Sequence, residues 1–133
     1  MKKVLLFSDD EKLFDITNRI IEKKYELIKC TYYQLETNKY PFADAVIMHF
    51  DRERMKKGAF EPIVKAKGKL GHLVPILAII EAGNPQSIFS ILEAGAYDYI
   101  EIKDNLQKYT KKVEELFLWN WYLAKYEFGE KRQ

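Results

Sequence analysis

Cysteine is nearly absent from the 133-residue chain; Cys30, the single one, excludes an intramolecular disulfide and any multi-cysteine metal site. Neither charge is in excess: 22 Lys and Arg stand against 20 Asp and Glu, a formal net charge of +2. That balance excludes a polybasic or acidic disordered chain and disfavours nucleic acid as the main partner. Long apolar runs are missing too. The opening run through Phe7 stops at Ser8-Asp9-Asp10, too short for the core of a signal peptide and far too short to span a bilayer. The expectation is a soluble, reduced, cytoplasmic protein without membrane contact. No internal repeat, linker or low-complexity segment is visible. What is present suffices for a real core, with 47% hydrophobic and 14% aromatic residues in a chain of single-domain length.

Short apolar runs alternate with amphipathic stretches. Val4 to Phe7 reads as a strand buried on both faces. Glu11 to Lys24 carries Leu13, Phe14, Ile16, Ile20 and Ile21 at helical spacing, and Asp9 or Asp10 is placed to cap it. Tyr25 to Thr31 reads as a second strand and Tyr32 to Asn38 as a short helix. Ala45 to Phe50 is a third strand. Met55 to Lys69 is a weaker helical pattern that Pro62 starts or kinks and Gly68 and Gly71 end. Leu73 to Ile80, the most hydrophobic stretch, reads as a central strand. Asn84-Pro85 opens a helix that Gly95 stops. Tyr97 to Ile102 is a fifth strand, and Asp104 to about Phe128 a long last helix. Strand and helix alternate five times, which predicts an α/β domain: a parallel sheet with helices on both faces.

In such a sheet function gathers at the carboxyl ends of the strands. Ser8, Asp9, Asp10 and Glu11 follow the first strand, His49 and Asp51 the third, Ile80 and Glu81 the fourth, and Glu101, Lys103 and Asp104 the fifth. A phosphate-binding first turn needs glycines and free amides. Three successive acids would repel a phosphate unless a metal bridged them. They suit a hard cation such as Mg²⁺; alternatively one caps the helix and the others are solvated. Gly68-Lys69 and Gly71 precede a strand instead of following one, which argues against a P-loop.

These strand ends, in this order, resemble the receiver domain of response regulators, the CheY-like fold, over about residues 2–118. VLLFSDDEKLF is similar to the family's first strand and acidic pair, so Asp9 and Asp10 fall on its Mg²⁺-binding acids. ADAVIMHF is similar to its third strand, VPILAII to its fourth, and ILEAGAYDYI to the stretch into its fifth, with Tyr99 on the aromatic switch position. The resemblance implies a single doubly wound, flavodoxin-like domain with strand order 2-1-3-4-5, in two-component-type signalling. The departures alter the chemistry it implies. Five residues beyond Asp44 the family has its phosphoacceptor aspartate; here stands His49. Ile80 replaces the hydroxyl residue at the end of strand four. Gly95 plus seven is Ile102, so Lys103 fills the family's lysine position only after a one-residue shift.

Receiver phosphorylation needs a carboxylate nucleophile, a metal, and a lysine and hydroxyl to hold the product. With nucleophile and hydroxyl replaced, the chain reads as a degenerate receiver, not an enzyme, needing no cofactor. It would act as a phosphorylation-independent interaction module for a sensor kinase or output protein. The alternatives are a phosphoryl-accepting regulator using Asp51 with Mg²⁺ and Lys103, and a nucleic-acid-binding module. His49 itself has four readings: a hydrogen-bonded structural residue, a metal ligand with Asp9 and Asp10, a phosphorylated residue, or an ion-pairing partner of those two acids that acts as a pH switch.

By the same resemblance the docking face joins the fourth helix, fifth strand and fifth helix, including Ser87, Ser90, Glu93, Tyr97, Tyr99 and Lys108. The tail is distinctive. Residues 1–118 form the receiver-like domain and 119–133 an aromatic extension of the last helix, with Trp119, Trp121 and Tyr122 as interface candidates for a homodimer or another protein. The alternative is that the tail folds back on its own domain. Residues 52–69 hold seven basic side chains against two acids, the feature behind the nucleic-acid alternative. Cys30 reads as a small buried residue.

Overall fold

The computed structural model describes the backbone over residues 2–21, 24–102 and 104–131, with the side chains of the last helix through Leu123 and at Lys125. Five strands, β1 (Lys2–Phe7), β2 (Tyr25–Cys30), β3 (Ala45–Phe50), β4 (Ile76–Ile80) and β5 (Asp98–Glu101), form one parallel sheet in the order β2-β1-β3-β4-β5. Six helices accompany them: α1 (Glu11–Ile21), α2 (Tyr32–Glu36), α3 (Arg52–Lys57), α4 (Phe60–Leu70), α5 (Pro85–Ala94) and α6 (Leu106–Lys131). The doubly wound α/β architecture and its strand order are those expected.

Period-two alternation divides the apolar residues of the strands between two cores. Val4, Leu6, Ile47, Ile79 and Ile100 face α1 and α6, where they meet Leu13, Ile21, Val113 and Leu116. Leu5, Phe7, Met48, Phe50 and Ile80 face the other way, against Leu35, Ile63, Ala66, Leu70 and Ile91. Each such side chain, fully buried, contributes about 1.5–3 kcal/mol before chain entropy is subtracted.

The stretch Met55 to Lys69, expected as one helix, is two. Gly58 closes α3 at φ +101°, a conformation other residues rarely adopt, and donates its N–H to the carbonyls of Arg54 and Met55. Pro62 then lies in the first turn of α4, where a missing N–H costs nothing. Strand four begins at Ile76, three residues later than expected, because Pro75 cannot donate to the ladder. Asn84 and Pro85 start α5 as the sequence suggests, with the Asn84 carboxamide accepting from Ser87 N at 2.8 Å.

Polar contacts along its first turns help fix α6 against the body. Lys112 pairs with Asp98 of β5, whose hydrogen bond holds the ammonium above its ordinary range. Thr17 donates to the Leu13 carbonyl at 2.7 Å and so accepts from the Tyr109 hydroxyl, also at 2.7 Å. Burial pushes the Tyr109 phenol up to about 12 from its ordinary 10, against the lowering effect of Thr17. The folded state therefore favours the protonated phenol. That stability is complete below pH 10 and is lost as pH rises through about 12. In urea titrations across this window, Tyr109→Phe should show a shallower alkaline loss than the native chain; an unchanged slope would overturn the assignment.

Candidate functional site

The same alternation that builds the α1/α6 core carries three polar residues to the carboxyl edge of the sheet. Ser8 continues the series Val4, Leu6; His49 continues Ala45, Ile47; Glu81 continues Leu77, Ile79. Parallel register brings Ser8 level with His49, and Glu81 two residues beyond His49's ladder partner Ile79 on the same face. His49 Nδ1 lies 2.9 Å from Ser8 Oγ, and Nε2 lies 3.0 Å from Glu81 Oε2. Ser8 is 1% and His49 7% exposed, whereas Glu81 is open to solvent on one side.

The donors can be ordered. A carboxylate only accepts, so Nε2 carries a proton and donates to Glu81. In the neutral ring Nδ1 then accepts from the Ser8 hydroxyl, while Ser8 Oγ accepts from Asp10 N at 3.0 Å. Opposite the ring, the buried Tyr32 hydroxyl donates to the His49 carbonyl at 2.7 Å. Burial holds the Tyr32 phenol well above its ordinary range, so it remains a donor. Both ring nitrogens and the carbonyl of His49 are engaged, and β1, β3, β4 and α2 are tied through one residue.

Where the sequence suggests Asp9 and Asp10 as partners of the imidazole, the structure supplies Glu81. Asp10 caps α1 instead: its Oδ1 accepts from Lys12 N at 2.9 Å and Leu13 N at 3.2 Å. Asp9 is exposed. Asp51 caps α3, accepting from Arg54 N at 2.8 Å. Ile80 is fully buried, and a Cβ on Gly83 would come within 2.6 Å of its Cδ1, so the turn after β4 closes over an aliphatic chain. Tyr99 is half-buried against the α2–α5 side of the sheet. Lys103 lies outside the described residues. Glu81 stands at a strand end in the sequence, but its pairing with His49 depends on how β3 and β4 lie together; the signal for it is an acid directly after the most hydrophobic strand, in phase with Leu77 and Ile79.

The site fits a divalent cation poorly. One of its two first-turn carboxylates serves as a helix cap, and a paired imidazole stands where a third oxygen donor would be needed. Among the described residues no three His, Cys, Asp or Glu side chains are grouped to hold a metal ion. Nearby, Arg52, Ile80, Glu81, Gly83, Glu101 and Ile102 line a cleft of about 260 Å³. Among the described residues its lining holds two acids and one arginine.

The basic stretch is largely spent within the fold. Lys65 donates to Glu36 O at 2.7 Å, Lys69 to Tyr40 O at 2.6 Å, and Lys67 to Val74 O at 2.7 Å, with burial lowering the Lys67 ammonium below its ordinary range. The Arg54 guanidinium lies 4.3 Å over the Tyr32 ring. The aromatic tail divides. Trp119 stacks on Tyr97 at 5.3 Å, and the carboxamide of buried Asn120 donates to Asp44 O at 2.7 Å, so this part folds back on the domain. Trp121 and Tyr122 meet edge to face at 5.1 Å and stay about half exposed.

No family model matches the sequence, and no curated protein does. Solved structures do match. Full-length FixJ from B. japonicum is 18% identical with a TM-score of 0.67, over 93% of this chain and 61% of that one; this chain thus spans about three-fifths of FixJ. A response regulator from Thermotoga maritima is 15% identical with a TM-score of 0.69, over 87% of this chain and 97% of that one. The receiver domain of the sensor histidine kinase PA1611 from Pseudomonas aeruginosa PAO1, with a magnesium ion in its active-site cleft, is 15% identical with a TM-score of 0.63, over 86% and 96%.

The fold is that of the CheY-like receiver domains. Likeness at this level establishes architecture. The chemistry rests on the residues at the strand ends, and here they form a hydrogen-bonded Ser8–His49–Glu81 chain.

Proposed function

We propose that the chain is a pseudo-receiver: a non-enzymatic protein-interaction module of two-component-type signalling, working in the cytoplasm, whose state is not set by aspartyl phosphorylation. One observation carries this. The side chain at the position that the resemblance would give to the phosphoacceptor is an imidazole with both nitrogens hydrogen-bonded, to Ser8 and Glu81. An acyl phosphate requires a carboxylate there, and the neighbouring Ile80 offers methyl groups where the product would need a hydroxyl. Asp51 is a poor substitute, since its carboxylate caps α3 beyond the strand end. A polyanion is a less fitting partner, since Lys65, Lys67 and Lys69 tether neighbouring backbone carbonyls and Arg54 covers the Tyr32 ring, which fixes their heads to the fold. The partner would be a sensor kinase or output protein. The α5–β5–α6 side supports this, presenting Phe89 at 67% exposure beside Leu92 and Tyr97.

The test is intact mass after incubation with Mg²⁺ and acetyl phosphate. The native chain and Asp51→Asn should both remain unmodified. An adduct on the native chain that vanishes in Asp51→Asn would replace this reading with a working phosphorylation switch at Asp51.

A further inference from the structure

We infer that the outer face of α6 is a two-fold contact between copies of this chain, formed by antiparallel pairing of the helix around residues 114–125. Glu114, Leu118, Trp121 and Lys125 follow one another at intervals of four, three and four residues, the spacing of a coiled-coil seam. At 3.6 residues per turn they fall within about 60° of one another around the helix. The line that packs into the body, Tyr109, Val113, Leu116 and Asn120, lies about 140° away by the same geometry. All four seam residues are exposed, with Leu118 at 54% and Trp121 at 47%.

The order of the four names the occupant. Read from its other end, acid–leucine–tryptophan–base becomes base–tryptophan–leucine–acid. With a two-fold axis passing between Trp119 and Asn120, Glu114 meets Lys125 of the second copy and Leu118 meets its Trp121, each contact occurring twice. The seam is complementary to itself when antiparallel. A parallel pair would set Glu114 against Glu114 and Lys125 against Lys125, which opposes that orientation. The cation already sits at the apolar stripe, with Lys125 Nζ 4.8 Å above the Trp121 ring. The backbone beneath is fixed, because Asn120 is hydrogen-bonded to Asp44 and Trp119 is stacked on Tyr97. The contact would need no rearrangement of the domain. It names a partner for the interaction module proposed above without depending on the absence of phosphorylation.

Sedimentation velocity of the 133-residue chain should show a dimer. Trp121→Glu should be monomeric with an unchanged circular dichroism spectrum. Glu114→Lys should weaken association about tenfold, as two symmetry-related attractions become repulsions, and adding Lys125→Glu should restore it. Under mild oxidation Glu114→Cys mixed with Lys125→Cys should cross-link, and neither alone should; Cys30 is buried and silent. A monomeric native chain overturns the proposal, and so does self-cross-linking of Glu114→Cys, which would mean parallel helices. A monomer that also takes no phosphoryl adduct would leave the pseudo-receiver reading standing.

Discussion

His49→Asp should destabilise the chain by about 2–4 kcal/mol in metal-free buffer, although it restores the residue that the family resemblance places there. The site is built for an imidazole. His49 is 7% exposed and supplies the proton that Glu81 accepts. A carboxylate in its place has no proton to give, so Glu81 loses its donor and gains a like charge beside it. Ser8 can still donate to the new group, which limits the loss. Adding Glu81→Gln should recover at least half of it, because an amide can donate where the carboxylate repelled. Mg²⁺ then separates the chains. With Asp10 Oδ1 kept as the α1 cap, its second oxygen, the exposed Asp9 and the new carboxylate at position 49 offer oxygen ligands, so millimolar Mg²⁺ should raise the melting temperature of His49→Asp and leave that of the native chain unchanged. Thermal melts with Mg²⁺ and with chelator measure both effects. Equal stability of His49→Asp and the native chain without metal would mean that the Ser8–His49–Glu81 chain contributes nothing to the fold.

Much of this architecture was legible because the strands are short, apolar and punctuated. Ala45–Phe50 was placed to the residue, and Asn84-Pro85 announced α5 through cap chemistry that acts locally. The break at Gly58 was harder to see, since the flanking stretches share one weak helical pattern and only the positive φ of that glycine divides them. The site was legible in position and not in pairing. His49 could be assigned to the end of β3 from the strand alone. Its partner could not, because Glu81 reaches it across the β3–β4 ladder and sequence gives no register between parallel strands. The sequence offers Asp9 or Asp10 as the cap on α1, and the backbone selects Asp10 by giving its carboxylate two amides. Lysines 65, 67 and 69 looked like a charged surface because charge is visible in sequence, whereas the carbonyls they cover are not.

Ending the chain after Leu118 should cost about 3 kcal/mol or more, even though that residue is where the resemblance to receivers ends. Helix α6 runs through the position without interruption. One turn on, Asn120 is 8% exposed and joins the far end of the sheet: Nδ2 donates to Asp44 O at 2.7 Å, and Oδ1 accepts from Lys2 Nζ at 3.4 Å. The same Asp44 accepts from Lys3 N through its carboxylate at 2.8 Å, so the amino ends of β1 and β3 and the tail helix meet at one residue. Removing Asn120 leaves a part-buried carbonyl without its donor, a loss of about 1–3 kcal/mol. Removing Trp119 uncovers Tyr97 and breaks a stacked pair worth about 0.5–1.5 kcal/mol beyond the area it buries. Asn120→Ala and Trp119→Ala should therefore each account for part of the truncation, and chemical denaturation of the three chains measures the shares. A truncated chain as stable as the native one would make residues 119–133 a separate appendage. If the loss is found, the exposed Trp121 stripe stands on a helix anchored by the domain itself, which lets a surface contact on the tail report the state of the sheet.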